Sequence, residues 1–298
     1  MSYSHTIGLT AGLLAAFTWA VAAVIFRQLG VRLHPLVLNL YKGIIASIAL
    51  VLVLTVWGGV VQTVPVKPFL LLLFSGMLGI GVGDTAFFAA LNRLGERQTV
   101  LIAETAAPLV TILLALLLFQ EFISLPAWLG IIAILCGVYL VLRVRSNQNG
   151  PPQKHLLAGI TYALVAAISQ AVGGIMSKGA FRLYDIDPAW SSLVRLLGGI
   201  ILVALLIPLF SQSYLPAAAR NKRVWGFVII AALIGTFGGI VFQQTAYKFT
   251  YTGLAQTMIA TSSIFVMLIA LLRRERISAQ AWLGALVAVA GVGLLFWF

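Results

Sequence analysis

The sequence predicts an all-α integral membrane protein with ten transmembrane helices in two inverted five-helix repeats. Hydrophobic residues make up 61% of the 298 residues and charged residues only 9%, with a mean hydropathy of +1.07. A soluble domain needs about a quarter charged residues to cover its surface, so this composition predicts a chain buried in lipid. The apolar residues also form ten separate runs, and the two halves of the chain resemble each other.

Charges, prolines and glycines separate the ten apolar runs. The runs are long enough for helices, whereas the strands of a membrane barrel alternate over only about ten residues. No basic segment or small-residue cleavage site marks the first run, so we interpret it as a span and not as a signal peptide. The runs cover residues 7–26, 36–56, 69–91, 99–119, 127–142, 156–177, 188–210, 224–246, 253–272 and 279–297.

The repeat is visible at two places. "EFISLPAWLGIIAILCGVYL" from Glu121 aligns with "ERISAQAWLGALVAVAGVGL" from Glu275, and "LLAAFTWAVAAVIFR" from Leu13 aligns with "LVAAISQAVGGIMSK" from Leu164. Because each half has an odd number of spans, the second half must enter the membrane inverted, as in many secondary transporters. We predict a first repeat over residues 1–145, a linker over 146–155 and a second repeat over 156–298.

The positive charge is interpreted as topogenic. Lys and Arg number 19 against 7 Asp and Glu, a net charge of +12, which in a soluble protein would suggest nucleic-acid binding. Here the basic residues lie in short connections between spans, so we predict no nucleic-acid partner and place the richer side in the cytoplasm, with both termini outside. That side holds Arg27, Arg32, Arg93, Arg97, Arg143, Arg145, Lys154, Arg220, Lys222, Arg223, Arg273, Arg274 and Arg276, and the other side holds Lys67, Lys178, Arg182 and Lys248.

No metal or cofactor site is predicted. The single cysteine, Cys136, lies inside an apolar run, and His5, His34 and His155 lie at span ends or in connections. No phosphate-binding loop, nucleophile elbow or His-Glu-x-x-His motif occurs. We therefore expect no catalytic residues, no bound metal, no cofactor and no nucleotide hydrolysis by this chain.

Glu104 is the leading candidate site residue. Charges inside a span are costly and usually functional, and Glu104 shares one face of the fourth span with Pro108 and Thr111. The proline frees a backbone carbonyl in mid-span, where a ligand or a moving helix can use it. A carboxyl here can exchange protons in a coupled carrier or bind a substrate ammonium. The alternative is a structural carboxylate neutralised by a cation of another span.

Lys42 and Arg195 are basic residues at equivalent positions of the two repeats. Each lies seven residues beyond a helix-opening proline, Pro35 or Pro188, which is about 10 Å along the helix axis. Inversion makes them approach the cavity from opposite faces of the membrane. They either serve the substrate or, alternatively, reach the interface or form a structural ion pair.

Asp84 ends the segment "GIGVGD", which resembles a signature of intramembrane aspartyl proteases, and Tyr184-Asp185 is similar to their second motif. Such a protease needs two carboxylates that share a proton at membrane depth. Asp185 lies in a connection, and the order of the motifs is reversed. We therefore keep the protease as an alternative and count Asp84 among the substrate-binding candidates.

The remaining candidates are aromatic or amide side chains in mid-span. Trp19 aligns with Gln170 in the repeat, and Gln243 shares a helix face with Tyr247. Together they fit the wall of a cavity for a small polar or zwitterionic solute, although a lone buried Trp commonly just packs. Thr257, Thr261, Ser262 and Ser263 add hydroxyls, which can equally bond to carbonyls of their own helix.

The chain resembles the ten-span EamA-type transporters of the drug/metabolite transporter superfamily over nearly its whole length. The resemblance lies in the two blocks quoted above, in "GVGDTAFFAALNRLG" of the third span and in "ETAAPLVTILLALLLFQE" of the fourth. It implies transport of amino acids, sugars, nucleotide derivatives, drugs or other metabolites, often outward, and it implies cytoplasmic termini, unlike the charge count. Where the family commonly has Arg in the second span, this sequence has Lys42, whereas Arg195 keeps the Arg.

Together these observations predict a secondary transporter of the bacterial inner membrane that exports small amino-acid-like or aromatic solutes by alternating access. A passive channel is a further alternative to the protease. We expect the first, third, fourth, sixth, eighth and ninth spans to line the cavity. The uncharged fifth and tenth spans should lie at the periphery, where their glycines make them the candidate contact for a homo-oligomer.

Overall fold

The computed structural model describes residues 3–30, 32–56, 62–142, 153–214, 221–272 and 278–297. In these ranges the chain forms helices and no strands, which confirms the predicted all-α architecture. Within the described ranges, nine helices are long and apolar enough to cross a membrane, and the fifth helix in order is shorter and apolar. We number them α1 (Tyr3–Gly30), α2 (Pro35–Val56), α3 (Val66–Leu94), α4 (Glu96–Phe119), α5 (Leu125–Leu142), α6 (Gln153–Leu183), α7 (Pro188–Leu209), α8 (Lys222–Phe249), α9 (Thr252–Leu272) and α10 (Ala279–Trp297).

Local sequence explains where several helices begin. The Asp187 carboxylate accepts hydrogen bonds from the backbone N–H groups of Ala189 and Trp190, and Pro188 takes the first helical position of α7, where no N–H is needed. At α8 the side-chain oxygen of Asn221 accepts from the N–H of Arg223 at 2.9 Å. These caps fix the ends of helices whose middles are held by apolar packing.

The third helix of each repeat contains a π-helical segment, Met77–Asp84 in α3 and Ala232–Gly238 in α8. A π-helical turn is wider than an α-helical turn and alters the backbone hydrogen bonds, and such segments are frequent at functional sites. In α3 the Asn39 amide of α2 donates to the Ile80 carbonyl at 2.7 Å and to Thr85 Oγ1 at 2.9 Å. The neighbouring helix therefore stabilises this irregular turn.

The fourth helix of each repeat is also irregular. Pro108 lies inside α4, and α9 is interrupted at Thr261 between the segments Thr252–Ala260 and Ser262–Leu272. Proline removes one helical hydrogen bond and bends the helix. The two irregular positions are equivalent in the repeat, since aligning Glu121 with Glu275 pairs Pro108 with Ser262.

The fifth and tenth helices pack along each other through their glycines. A Cβ atom added to Gly137 would lie 2.4 Å from the Gly284 carbonyl oxygen, and one added to Gly291 would lie 2.7 Å from the Gly130 carbonyl oxygen. These glycines allow the two backbones to touch within one chain. The glycine face of each helix is thus used within the chain, whereas apolar side chains such as Leu129, Ile132, Leu286 and Val289 stay exposed on the outer faces of the two helices. The proposed homo-oligomer contact through these helices stays a prediction.

The boundaries of the two repeats remain the prediction made above. Residues 146–152 of the predicted linker lie outside the described residues, as do Arg143, Arg145, Arg220, Arg273, Arg274 and Arg276 of the predicted cytoplasmic side.

Candidate substrate site

A cavity of about 110 Å³ lies between the two repeats. Its walls come from α1, α3, α4, α6, α8 and α9, which are the six helices predicted, and α2 adds the side chain of Lys42. The fifth and tenth helices contribute no described lining residue, so their predicted peripheral position is confirmed. Of the nine predicted site residues, six line the cavity: Trp19, Lys42, Asp84, Glu104, Gln170 and Gln243.

Glu104 lines the cavity from α4, and its side-chain hydrogen-bond partner is Ser262 of α9. Among the described residues no Lys, Arg or His forms a salt bridge with it. Neither Lys42 nor Arg195 neutralises this carboxylate, which was the structural alternative for Glu104. The cavity therefore contains an acidic group that is free to bind a proton or a cationic group.

Lys42 and Asp84 form an ion pair across α2 and α3. Lys42 is only 3% exposed, and its ammonium also lies over the rings of Phe26 and Phe88, at 5.8 and 5.2 Å from their centroids. The side chain does not reach the membrane interface. Because a buried charge needs a partner, the pair stabilises both side chains at the cavity wall.

Trp19 and Gln170 occupy equivalent positions of α1 and α6 and both line the cavity. A Cβ atom added to Gly239 of α8 would lie 2.2 Å from Trp19 Nε1, so only glycine leaves space for the indole. Gln170 Oε1 is buried without a hydrogen-bond partner among the described residues. This oxygen is an unsatisfied acceptor enclosed in the cavity wall, and a buried acceptor without a partner is costly.

Arg195 lies behind the cavity wall and is only 1% exposed. Its Nη1 atom donates to Gln243 Oε1 at 2.9 Å and to Gln244 Oε1 at 2.7 Å. Among the described residues it forms no salt bridge. The predicted ion-pair alternative therefore does not hold for Arg195, whose role is to bind two amides of α8.

Tyr247 also lies behind the wall and connects α8 to α9. Its hydroxyl accepts from Gln243 Nε2 at 3.1 Å and donates to Gln256 Oε1 at 2.6 Å. Gln256 lines the cavity but is absent from the sequence prediction, although a glutamine inside an apolar span was a usable signal. Phe26, Phe87 and Phe88 were missed as well, because phenylalanines in apolar runs give no such signal.

Pro108 and most hydroxyls of α9 do not face the cavity. Pro108 is not among the lining residues, although its position on the helix matches the prediction. Thr257, Thr261 and Ser263 donate to carbonyl oxygens of their own helix, at 2.6 to 3.1 Å. Three of the four hydroxyls therefore bond to carbonyls of their own helix, which was the alternative given for them. Ser262 is the exception, since it lines the cavity.

The protease alternative requires Asp84 and Asp185 to share a proton, but the two carboxylates lie in different surroundings. Asp84 lines the cavity, whereas Asp185 is in the connection between α6 and α7, with a side chain 89% exposed. Its Oδ1 atom lies 2.6 Å from Lys248 Nζ, and a hydrogen bond from this ammonium lowers the pKa of Asp185. The two carboxylates cannot share a proton in this arrangement.

The end of the bundle that carries few basic residues is closed by polar contacts. Glu121 accepts from the Thr252 backbone N–H at 2.8 Å, and its carboxylate lies 3.4 Å from Arg182. The Lys178 ammonium donates to the carbonyl oxygens of Tyr247 and Thr250, at 2.9 and 2.7 Å. We call the closed end the seal, defined by Glu121, Lys178, Arg182, Thr250 and Thr252.

Most of the cavity lies in the other half of the bundle, although Gln243 of α8 and Gln256 of α9 line it from the half nearer the seal. Its α1 residues fall within 19–26, near the end of that helix, its α2 residue lies near the start of α2, and its α4 residues fall within 100–107. These helix ends meet at the arginine-rich connections. The bundle thus has a cavity half, which holds most of this cavity, and a sealed half. A second pocket lies at the seal and is lined by His5, Glu121, Lys178, Arg182, Phe249, Thr250 and Tyr251.

Comparison with known proteins agrees with this architecture. A sequence model of the EamA-like transporter family matches residues 6–143 and again residues 157–297. Together the matches cover nearly the whole chain, so the protein belongs to the EamA-like transporter family. The expected family resemblance is confirmed, and so is the general class of membrane transporter.

Individual relatives are distant. An uncharacterized transporter of Archaeoglobus fulgidus is 26% identical over 288 residues, which are 95% of each chain. An S-adenosylmethionine uptake transporter of Rickettsia conorii is 26% identical over 81% of this chain and 79% of its own. One crystal structure of another protein has a TM-score of 0.78 at 16% identity and covers 96% of this chain and 95% of its own, which shows a shared fold.

Proposed function

We propose that this protein is a secondary active transporter that carries small amino-acid-like or aromatic solutes by alternating access. One observation carries the proposal: a cavity between the two repeats is lined by Glu104, whose carboxylate forms no salt bridge among the described residues, and also by Trp19 and Gln170. An α-amino group fits the carboxylate, and an apolar side chain fits the aromatic surface.

The size of the cavity supports a moving carrier. Ligand pockets usually measure about 300–1,000 Å³, whereas this cavity measures about 110 Å³. A solute of amino-acid size therefore requires the helices to separate. The π-helical turns of α3 and α8 and the irregular positions of α4 and α9 are places where such a movement is least restrained.

The names of the relatives agree with an amino-acid-like solute, since S-adenosylmethionine contains an α-amino acid group. The direction of transport is a separate matter. The family resemblance favours export, and we propose export from a bacterial cell across its inner membrane, whereas the two Rickettsia relatives are named for uptake. Uptake of the solute into inside-out membrane vesicles, driven by a gradient imposed without ATP, distinguishes these directions. Accumulation inside such vesicles corresponds to export from the cell.

A passive channel is the second candidate, because it too requires a polar cavity between helices. A channel needs a continuous polar path, and the seal interrupts such a path with Lys178 and Glu121 bound to backbone groups. The intramembrane protease remains a third candidate only by its motif, since Asp84 is paired with Lys42.

Counterflow in proteoliposomes separates these candidates. Purified protein is reconstituted with a high internal concentration of an unlabelled amino acid, and uptake of the labelled compound is followed. A carrier accumulates label transiently above equilibrium, because only a carrier couples the two directions through one site. A channel equilibrates the label without overshoot, and a protease gives neither. Equilibration without overshoot across an amino-acid panel would contradict the proposal.

A further inference from the structure

Arg195 fixes the orientation of two amide side chains. A guanidinium has five N–H donors and no acceptor, so any group bound to it must present an acceptor atom. Gln243 and Gln244 both meet Arg195 Nη1, at 2.9 and 2.7 Å, and both must therefore turn their oxygen atoms toward it. This orientation follows from the chemistry of arginine and does not depend on how each amide was assigned.

The orientation of Gln243 determines, through Tyr247, the orientation of the Gln256 amide at the cavity. With its oxygen on Arg195, Gln243 can only donate to Tyr247 through its Nε2 atom, at 3.1 Å. The tyrosine hydroxyl then accepts from Gln243 and uses its single proton to donate to Gln256 Oε1, at 2.6 Å. Gln256 is thus held with its oxygen toward Tyr247 and its NH₂ group on the opposite side.

The Gln256 NH₂ group is left over at the cavity. Gln256 lines the cavity, and its Nε2 atom has no hydrogen-bond partner among the described residues. This nitrogen is not among the enclosed side-chain atoms of the described chain that lack a hydrogen-bond partner, and since it has no partner, it is not fully enclosed. Two donor hydrogens in a membrane-embedded site favour a partner with a strong acceptor oxygen.

Gln244, the second amide bound by Arg195, starts a separate chain of hydrogen bonds that leads away from the cavity. Gln244 Nε2 donates to Ser191 Oγ at 3.1 Å, and the serine hydroxyl donates to the Pro188 carbonyl oxygen at 2.8 Å. Each group in this branch has a partner, and neither Gln244 nor Ser191 lines the cavity. Gln244 therefore provides a matched control within the same arginine cluster.

We propose that Gln256 is a specificity-determining residue that donates a hydrogen bond to the carboxylate of the solute, and that Arg195 is its positioning residue. Glu104 lines the same cavity and accepts the ammonium of that solute. The substrate class is then the α-amino acid, as distinct from the amine that lacks only the carboxylate. This inference rests on the proposed function, because it takes the cavity to be the solute site.

The experiment compares matched pairs in counterflow: tryptophan with tryptamine, leucine with isopentylamine, and lysine with cadaverine. The wild type should exchange the acid of a pair faster than the amine. Gln256→Glu keeps the volume and the oxygen that accepts from Tyr247, but it replaces the donor with a second acceptor. We expect the acid-to-amine ratio of exchange rates to fall about tenfold, because a charged acceptor loses its hydrogen bond.

Two further variants separate positioning from folding. Tyr247→Phe removes the proton that holds Gln256 Oε1, so the amide is free to rotate and the ratio should fall by less than in Gln256→Glu. Gln244→Glu alters the branch that leads away from the cavity, and its ratio should equal that of the wild type. The ratio is independent of the amount of folded protein, so a variant with a lower yield is still informative.

The outcomes distinguish the two levels of the proposal. If no member of any pair shows counterflow in the wild type, the proposed function fails and this inference fails with it. If the amines exchange as fast as the acids, or if Gln256→Glu slows both members of a pair equally, only the inference is overturned. A change of ratio in Gln244→Glu equal to that in Gln256→Glu would also overturn it, because the orientation of Gln256 would then be irrelevant.

Discussion

The Lys42 ammonium and the Asp84 carboxylate pair with each other inside the bundle, where the ammonium lies over the adjacent rings of Phe26 and Phe88. Removing one member of such a pair leaves an uncompensated charge, which typically costs about 3–5 kcal/mol. We therefore predict that Asp84→Asn and Lys42→Met each lower the melting temperature of the purified protein strongly. The double variant should recover most of this loss, because neither charge remains.

The measurement is thermal unfolding in one detergent for the two single variants and the double variant. Additive losses in the double variant would show that the two side chains act independently, against the ion pair. The pair also explains why this second-span lysine stays buried at 3% exposure.

Glu104 should be required for transport and not for folding. Glu104→Gln keeps the volume and the contact with Ser262 but removes the ionisable group. We predict loss of counterflow with a melting temperature equal to or above that of the wild type, since a buried unpaired carboxylate is costly. Glu104→Asp is the control that keeps the charge and should keep part of the activity. Unchanged transport with an unchanged pH profile would assign Glu104 a structural role.

The seal should open when Glu121 loses its charge. Its carboxylate binds the Thr252 N–H at 2.8 Å and faces Arg182, and a hydrogen bond to a charged group contributes about 1.5–3 kcal/mol. Losing about half of it raises the open population roughly tenfold. Ala255 is fully buried and lies three residues beyond Thr252 of the seal, about one helical turn into α9.

Labelling tests this expectation. Ala255→Cys in a Cys136→Ala background provides a single thiol, and a membrane-impermeant maleimide reports its exposure. Adding Glu121→Gln should accelerate labelling, whereas adding Gly226→Ala, at a position with no neighbour within 4 Å, should not. Equal rates with and without Glu121→Gln would show that the carboxylate does not hold the seal closed.

Gly239 should be needed for the position of Trp19. A Cβ atom there would lie 2.2 Å from Nε1 and 2.5 Å from Cδ1 of the indole, so Gly239→Ala must displace the ring toward the cavity. We predict lower counterflow in Gly239→Ala. Gly226→Ala in the same helix should be neutral or stabilising, because an unhindered helical glycine costs about 0.5–1 kcal/mol relative to alanine. Equal activity of both variants would contradict the close contact.

The sequence was sufficient for the architecture and for part of the site. Apolar runs gave the ten helices, and polar residues inside those runs marked Glu104, Gln170 and Gln243, because such residues are rare in lipid. The π-helical segments were not predictable, since they depend on contacts between helices such as the hydrogen bond from the Asn39 side-chain amide of α2 to the Ile80 carbonyl of α3. The sequence shows a polar Asn39 but does not show which carbonyl it will meet.

The rest of the site depends on which helices become neighbours. Gln256 meets Tyr247, and Arg195 meets Gln243, only because α7, α8 and α9 converge. Likewise the glycines of α5 could be recognised as a face suited to close packing, and in the structure this face meets the glycines of α10. Composition shows that a helix face is suited to close packing, but it does not identify the partner helix.

The last prediction concerns orientation, where the charge count and the family resemblance disagree. Thirteen basic residues lie on the side of the first connection and four on the opposite side, which places the first set in the cytoplasm and both termini outside. The connections are short, and in short connections positive charge governs orientation most strongly. In that orientation the cavity half faces the cytoplasm and the seal, with Glu121 and Lys178, faces outward.

Two C-terminal fusions in a bacterial host test the orientation. Alkaline phosphatase folds only outside the cytoplasm and green fluorescent protein fluoresces only inside it, so we predict an active phosphatase fusion and a dark fluorescent one. Replacing Arg27, Arg32 and Arg93 by glutamine should weaken the bias toward this orientation, because these arginines belong to the first two cytoplasmic connections. An inactive phosphatase with a bright fluorescent fusion would mean that the chain follows the orientation implied by its family and that the seal faces the cytoplasm.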